Sequence, residues 1–511
     1  MDASSLLSDA ARRRPADPAV LCGDRRLSYP DLDRLAGTMA ERLRAAGARP
    51  GDRVAALFPN CHLYLALYFA ALRAEAVLVP LNTRLAAAEM RAVLVHSGAV
   101  LLAGEPERVA ALGPAPAGDG GWALVPAAAV VAAGEGAAVP APPDVAHLYY
   151  TSGTTGKPKG VLLTRANLMA HVRMTLDELA FRREDVWLHA APMFHLADAW
   201  AIWTATAAAA THVVLPRFDA AAAAGRIAAD GVTLTNLVPS MLIALLEEAE
   251  KTGRAFPSLR LLLSGGAPIA PGVVARVERL LGCAYAQTYG LTETSPFLTF
   301  SLLDRELQRL PAGERLRLRA RTGRAARGVE VRVVERGAAG GLRDVPADDA
   351  AVGEVVARGA TVTPGYWRDP EATAEAFRDG WFHTGDLGTI DRRGFINLVD
   401  RAKDVIVTGG ETVYSTEVEN VLYDHPAVRE AAVFAVPDEK WGEAVRAAVV
   451  LRAPGGAEAA DLAAFCRGRI AGYKCPAAID LHAALPRTGS GKIDKKTLRA
   501  PFWAGRDRQI N

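Results

Sequence analysis

Apolar residues recur at helical spacing over residues 32–46, and Gly47 offers a stop. Residues 51–60 predict a turn followed by a buried strand, 64–74 a second apolar helix, and 76–80 another strand. Helices alternating with short apolar strands predict an α/β domain built on largely parallel sheets. Two stretches rich in small residues, 104–121 and 337–350, predict surface loops. After Asp400 the pattern restarts, with strands near 405–407, 431–436 and 445–451 and a helix near 417–423. The expected organisation is a large N-terminal domain over residues 1–400 and a small α+β domain over 401–511. Arg315, Arg317, Arg319 and Arg321 alternate with Leu316, Leu318 and Ala320, which predicts a strand or loop with one solvated face rather than a phosphate-binding stripe.

Composition narrows the function classes. A chain of 511 residues exceeds one ordinary core, and half of it is hydrophobic. The formal net charge of +2 gives no field for nucleic acid or a membrane surface, so neither is expected as a partner. The longest apolar stretch, 199–215, is interrupted by Thr204, Thr206, Thr211 and His212 and falls short of a membrane span. Five cysteines, Cys22, Cys61, Cys283, Cys466 and Cys475, form no C-x-x-C pair, which argues for reduced thiols. The N-terminus shows no charged region followed by an apolar core, so a cytoplasmic location is expected.

The chemistry is concentrated in residues 149–161. Thr151, Ser152, Gly153, Thr154, Thr155, Gly156 and Lys157 form a glycine-rich, hydroxyl-rich loop with apolar segments on both sides. Main-chain N–H groups, hydroxyls and a lysine suit a triphosphate. The spacing is not that of a Walker A loop: only two residues separate Gly153 from Gly156, and Pro158 follows Lys157. The alternative is a flexible linker, which rarely has apolar segments on both sides.

Further motifs are spread along the chain. Ser264, Gly265, Gly266 and Ala267 follow an apolar strand, where small residues let a flat ring approach the backbone. Gln287-Thr288-Tyr289-Gly290-Leu291-Thr292-Glu293 offers a carboxylate for a hard cation. Residues 381–388 contain Asp386, whose carboxylate can accept from two ribose hydroxyls. Asp400-Arg401-Ala402-Lys403 and the pair Gly409, Gly410 come next, then Lys492 in a Gly/Ser loop. Lys495, Lys496 and Arg499 read as an exposed basic tail.

Together, in this order, these motifs resemble the adenylate-forming superfamily, which contains acyl-CoA synthetases, peptide-synthetase adenylation domains and beetle luciferases. The resemblance runs from about residue 27 to residue 499. It implies ATP, Mg²⁺ and coenzyme A as cofactors. It places Mg²⁺ on Glu293 with Thr154 nearby, adenine against Tyr289 and residues 264–267, the α-phosphate at Thr292, and the ribose at Asp386. Arg401 would meet ribose or phosphates, and Lys403 marks the hinge. Gly409 and Gly410 would face the pantetheine arm, and Lys492 would be the catalytic lysine of adenylation. Thr412 stands where many relatives have Asn.

The implied reaction is activation of a small-molecule carboxylic acid as acyl-AMP, followed by transfer to coenzyme A, with the small domain rotating between steps. His195, Trp200 and Ser264 would line the acid pocket, with Ile202 and Trp203 extending an apolar wall. Amino-acid-activating relatives carry Asp directly after the Phe of this segment. Here that position is His195 and Asp198 comes three residues later, which favours a fatty or aryl acid. The alternatives are an adenylating enzyme of secondary metabolism that does not use coenzyme A, by loading a carrier protein or activating nitrite as ATP-dependent diazotases do, and a non-catalytic protein that kept the fold. Oligomeric state is not legible.

Overall fold

The structure is a computed structural model; it describes residues 2–113, 122–129, 141–142, 144–151, 159–267, 269–337, 341–488 and 493–504. Two parallel-rich sheets dominate. In the nine-stranded sheet, Pro18–Cys22, Thr211–Val214, Val186–His189, Leu234–Leu237, Leu261–Gly265 and Ala284–Tyr289 run parallel, with antiparallel strands at both edges. The second sheet ends in the hairpin Val145–Thr151/Lys159–Thr164, whose connection carries the glycine-rich loop. Helices Tyr29–Ala45, His62–Arg73, Arg165–Glu178 and Leu196–Ala208 lie between the two sheets and form the largest core with them. Every residue from 64 to 72 in His62–Arg73 is buried, as a helix apolar on all sides requires. Ser28 and Thr164 close capping boxes that start two of these helices. Helices Ala220–Ala229, Pro239–Thr252 and Pro271–Leu281 cover the other face of the nine-stranded sheet. This is the α/β architecture expected from the alternation.

An antiparallel sheet follows, built from Val329–Arg336, Leu342–Asp344, Gly353–Gly359, Phe377–Arg378, Trp381–Ile390 and Ile396–Arg401. Beyond Arg401 the chain forms a separate sheet around the hairpin Val428–Asp438/Gly442–Leu451, with helices Ser415–Tyr423, Ala459–Arg467 and Lys495–Trp503 and cores of its own. Among the described residues no helix is long and apolar enough to cross a membrane. The apolar stretch 199–215 splits into helix and strand at Ala209, whose φ is +55°.

Three expectations are corrected. The arginine run lies in a helix, Ala312–Ala320. Leu316 and Ala320, four residues apart, pack on the core of Pro271–Leu281, and Arg319 pairs with Glu278. That i, i+4 spacing competes with the period-two alternation, and packing decides between them. The small-residue stretches are not wholly loop: Pro106–Ala110 is helical and Leu342–Asp344 is a strand. Finally, two of the three basic residues near the C-terminus, Lys495 and Arg499, are held in place, while Lys496 is exposed as expected. Lys495 Nζ lies 2.7 Å from Glu419 Oε1 and donates to Ser415 Oγ, and Arg499 pairs with Asp404 at 3.2 Å.

Burial raises the Glu419 carboxyl above its usual range, and Lys495 opposes that rise. Lys495→Ala is expected to destabilise the C-terminal unit by about 2 kcal/mol, less than a fully buried pair because both groups keep some solvent. The sign with pH follows. Without Lys495, protonation of Glu419 removes a buried unpaired charge, so the loss is smaller near pH 5 than near pH 8. Thermal melts of wild type and variant at the two pH values check this.

Candidate active site

Motifs far apart in sequence meet at the carboxyl end of the nine-stranded sheet, the end where open α/β sheets bind ligands. Leu261–Gly265 and Ala284–Tyr289 are adjacent parallel strands, so Gly265 and Tyr289 emerge side by side. The Tyr289 hydroxyl donates to Asp386 Oδ2 at 2.8 Å. Asp386 Oδ1 lies 3.0 Å from Arg401 Nε, the two residues facing each other across antiparallel strands. Asp386 is only 4% exposed. Burial, then the neighbouring Asp386, hold the Tyr289 phenol well above its usual range, so it stays a donor. Asp386 raises the Arg401 guanidinium against the effect of burial. The carboxylate still has lone pairs to offer a ligand hydroxyl.

Close packing explains the glycines here. A Cβ at Gly265 would overlap the Thr288 hydroxyl and lie 2.9 Å from the Thr288 carbonyl oxygen. Gly266 has φ +88°, the left-handed region. Gln287 Nε2 donates to the Ala267 carbonyl at 2.8 Å, and the Tyr285 hydroxyl donates to Gln287 in turn. Ser264 is fully buried below this turn.

Thr292 and Glu293 form a short 3₁₀ turn just beyond Tyr289, with Thr292 half-buried and Glu293 8% exposed. Burial raises the Glu293 carboxyl above its usual range, and the Tyr366 hydroxyl partly offsets this by donating to Oε1 at 2.9 Å. Tyr366 also ties Glu293 to the strand Lys159–Thr164. Residues 365–367 pair with the strand Lys159–Thr164 through Leu162 N–Gly365 O at 3.1 Å and Trp367 N–Gly160 O at 2.7 Å. The Lys159 ammonium sits 5.1 Å above the Tyr366 ring.

His195 occupies the position just before the helix Leu196–Ala208 without a side-chain cap, its ring 4.7 Å from Phe194. The segment before it is pinned: Asn60 Nδ2 donates to Ala191 O at 2.8 Å, Met193 N to Asn60 Oδ1 at 2.7 Å, and the Tyr68 hydroxyl to Met193 O at 2.7 Å. Trp200 lies deeper, 1% exposed, packed on Trp187 and Phe297. Ile202 and Trp203 are buried with it. Gly409 and Gly410 make an exposed two-residue hairpin turn with φ of +61° and +83°. Thr151 ends its strand; Ser152, Gly153, Thr154, Thr155, Gly156, Lys157 and Lys492 lie outside the described residues. The loop bearing Lys492 is closed by a bridge between Arg487 and Ile493.

The pattern of the AMP-binding enzyme family matches residues 7–367, and that of the AMP-binding enzyme C-terminal domain matches residues 417–492. The chain belongs to this family of adenylate-forming enzymes. A feruloyl-CoA synthase of an Amycolatopsis species is 39% identical over 501 residues, 96% of this chain and 97% of the relative. A fatty acid–[acyl-carrier-protein] ligase, ScoC of Streptomyces coeruleorubidus, is 37% identical and covers 98% of this chain and 96% of its own. Among solved structures, ATP-bound MatB from Rhodopseudomonas palustris superposes with a TM-score of 0.82 at 31% identity, covering 98% of this chain and 99% of that one.

In this AMP-binding enzyme, Tyr366 lies outside every motif read from the sequence, and Gln287 opens one of them without a role assigned to it. Tyr366 and Gln287 act through hydrogen bonds to residues 73 and 20 positions away. Only the aromatic pair Tyr366-Trp367 after Pro364-Gly365 marks the first in sequence. Among the described residues no cluster of three His, Cys, Asp or Glu side chains forms a metal cage. The buried carboxylate of Glu293 fits a cation that is carried mainly by nucleotide phosphates, as Mg²⁺ is.

Proposed function

We infer that the protein is an ATP-dependent, AMP-forming acid–thiol ligase that activates a carboxylic acid as acyl-AMP and passes the acyl group to coenzyme A. The observation that carries this reading is the convergence of Tyr289, Asp386 and Arg401 at a parallel-strand end, within electrostatic reach of buried Glu293. The names of the feruloyl-CoA synthase and fatty-acid ligase relatives and the ATP in the MatB structure support it.

The residues divide the work. Asp386 accepts from the ribose, Tyr289 and Ala267 flank the base, and Arg401 and Thr292 meet phosphate. The substrate carboxylate attacks the α-phosphorus in line and pyrophosphate leaves. Two anions must approach, and the ammonium of Lys492 offsets their repulsion. Glu293 with Thr154 would hold a magnesium ion, which supplies neutralising charge to the triphosphate. The thiol then displaces AMP; the exposed Gly409–Gly410 turn lets backbone approach a pantetheine arm without side-chain obstruction.

Tyr366→Phe tests the support of Glu293. Losing a hydrogen bond to a charged acceptor is expected to raise the Mg²⁺ concentration for half-maximal pyrophosphate release about ten-fold. A Mg²⁺ titration unchanged from wild type would remove Tyr366 from the site.

For the acid, the reading is a fatty or aryl carboxylate. Phe194 and Leu196 flank His195, and Asp198 is fully buried against His189, which leaves it unable to pair with a substrate ammonium. A second acceptor, a carrier protein, is favoured by the ScoC relative alone. Pyrophosphate release measured over ferulate-type acids, fatty acids, amino acids and nitrite, with coenzyme A or a carrier protein, decides. Release with an aryl or fatty acid and thioester formed with coenzyme A is expected. Release with nitrite alone, or thioester only on a carrier protein, would overturn the coenzyme A assignment.

A further inference from the structure

Behind the His195 segment, two imidazoles connect both ends of one helix. Asp198, in the first turn of Leu196–Ala208, has Oδ2 2.7 Å from His189 Nδ1. His189 Nε2 lies 3.0 Å from His212 Nδ1, and His212 Nε2 lies 3.1 Å from Oγ1 of Thr206, near the other end of the helix. The rings stack with centroids 5.3 Å apart and planes within 9°. His189 and His212 stand on adjacent parallel strands. All four side chains are fully buried.

Such a chain has direction. A neutral imidazole donates from one nitrogen and accepts at the other. With Asp198 ionised, every donor points from Thr206 towards it; with a proton at the Asp198 end, every donor points away. Burial holds His212 well below the usual imidazole range, so it is neutral. Burying such groups gains little over apolar packing, but their bonds tie two strands to both ends of one helix. What they fix is specific. His189 ends its strand and Asp198 opens the helix, so their bond closes the segment 190–197 that carries His195. The same segment is held by Asn236 Nδ2 on Ala197 O at 2.7 Å and by Asp198 N on His195 O at 3.1 Å.

We propose that Asp198 is a positioning residue for the acid substrate: through His189 and His212 it clasps both ends of the helix and sets the pose of His195 at the pocket wall. The proposal rests on the reading that residues 192–198 line the acid pocket.

Asp198→Ala removes the acceptor, whereas Asp198→Asn keeps an oxygen for His189. The alanine variant is expected to raise KM for the preferred acid about ten-fold and leave KM for ATP near wild type, as loss of a positioning contact does. The asparagine variant should recover most of that loss. In ¹⁵N-histidine spectra of the ligand-free protein, the alanine variant should lose the hydrogen-bonded tautomer signals of His189 and His212, and the asparagine variant should keep them. Thr206→Val, at the far end, should shift the acid KM in the same direction by about three-fold, and it serves if the alanine variant fails to fold. Equal changes in both KM values, or an asparagine variant as impaired as alanine, overturn the proposal. His195→Ala is run alongside. If it raises the acid KM while Asp198→Ala and Thr206→Val do not, the relay fails and the pocket reading stands. If His195→Ala leaves the acid KM unchanged, the pocket reading fails and the proposal with it.

Discussion

Lys492→Ala is expected to lower acyl-adenylate formation about a thousand-fold, because one preorganised charge at a developing anionic transition state contributes that much. The same variant should convert a pre-formed acyl adenylate to the thioester at close to the wild-type rate, since the thiol attacks the acyl carbon and AMP leaves, with no carboxylate brought onto the α-phosphorus. Pyrophosphate release and thioester formation, measured separately on one preparation, check both halves. Undiminished adenylation would refute the role. A loss in both half-reactions would mean that the loop closed by Arg487 and Ile493 supports structure rather than charge.

Asp386→Ala should weaken ATP binding about a hundred-fold. The expectation comes from the geometry. Asp386 is buried, accepts from Tyr289, and neutralises Arg401 at 3.0 Å. Its removal takes away the proposed ribose acceptor and also releases Arg401 and the Tyr289 hydroxyl from the position they share. Calorimetric titration with ATP, in the absence of any acid, isolates binding from chemistry. Asp386→Asn should fall between, since an amide oxygen can still accept but carries no charge for Arg401. An alanine variant that binds ATP like wild type would place the ribose elsewhere.

The strand ends of the candidate site were legible where a residue's chemistry and its sequence neighbours carry the same message. Gly265 and Tyr289 end apolar strands, and short apolar strands alternating with helices imply a parallel sheet whose carboxyl ends hold ligands. Asp386 and Arg401 carry groups that only a polar partner would keep buried or paired. Legibility failed where periodicity is ambiguous. The arginine run fits both a two-residue and a four-residue repeat, and the helix Pro271–Leu281 selects the second by accepting Leu316 and Ala320. Lys495 looked like a tail residue because its partner Glu419 lies 76 positions earlier, and no local pattern reports a pair that distant. Asp198 offered the sharpest ambiguity. Its spacing from Phe194 left an amine-binding role open; its side chain is fully buried and bonded to His189.

By itself the sequence determined the family, the order of its motifs and the alternation of apolar helices and strands, because each depends on residues within one loop or one element. Only the tertiary structure decided which motifs touch. Tyr366 supporting Glu293, Gln287 holding Ala267, and the Asp198–His189–His212–Thr206 chain all span different elements. The physical reason is that a hydrogen bond acts over about 3 Å in space whatever the separation along the chain, and the packing of two sheets around shared helices sets that distance.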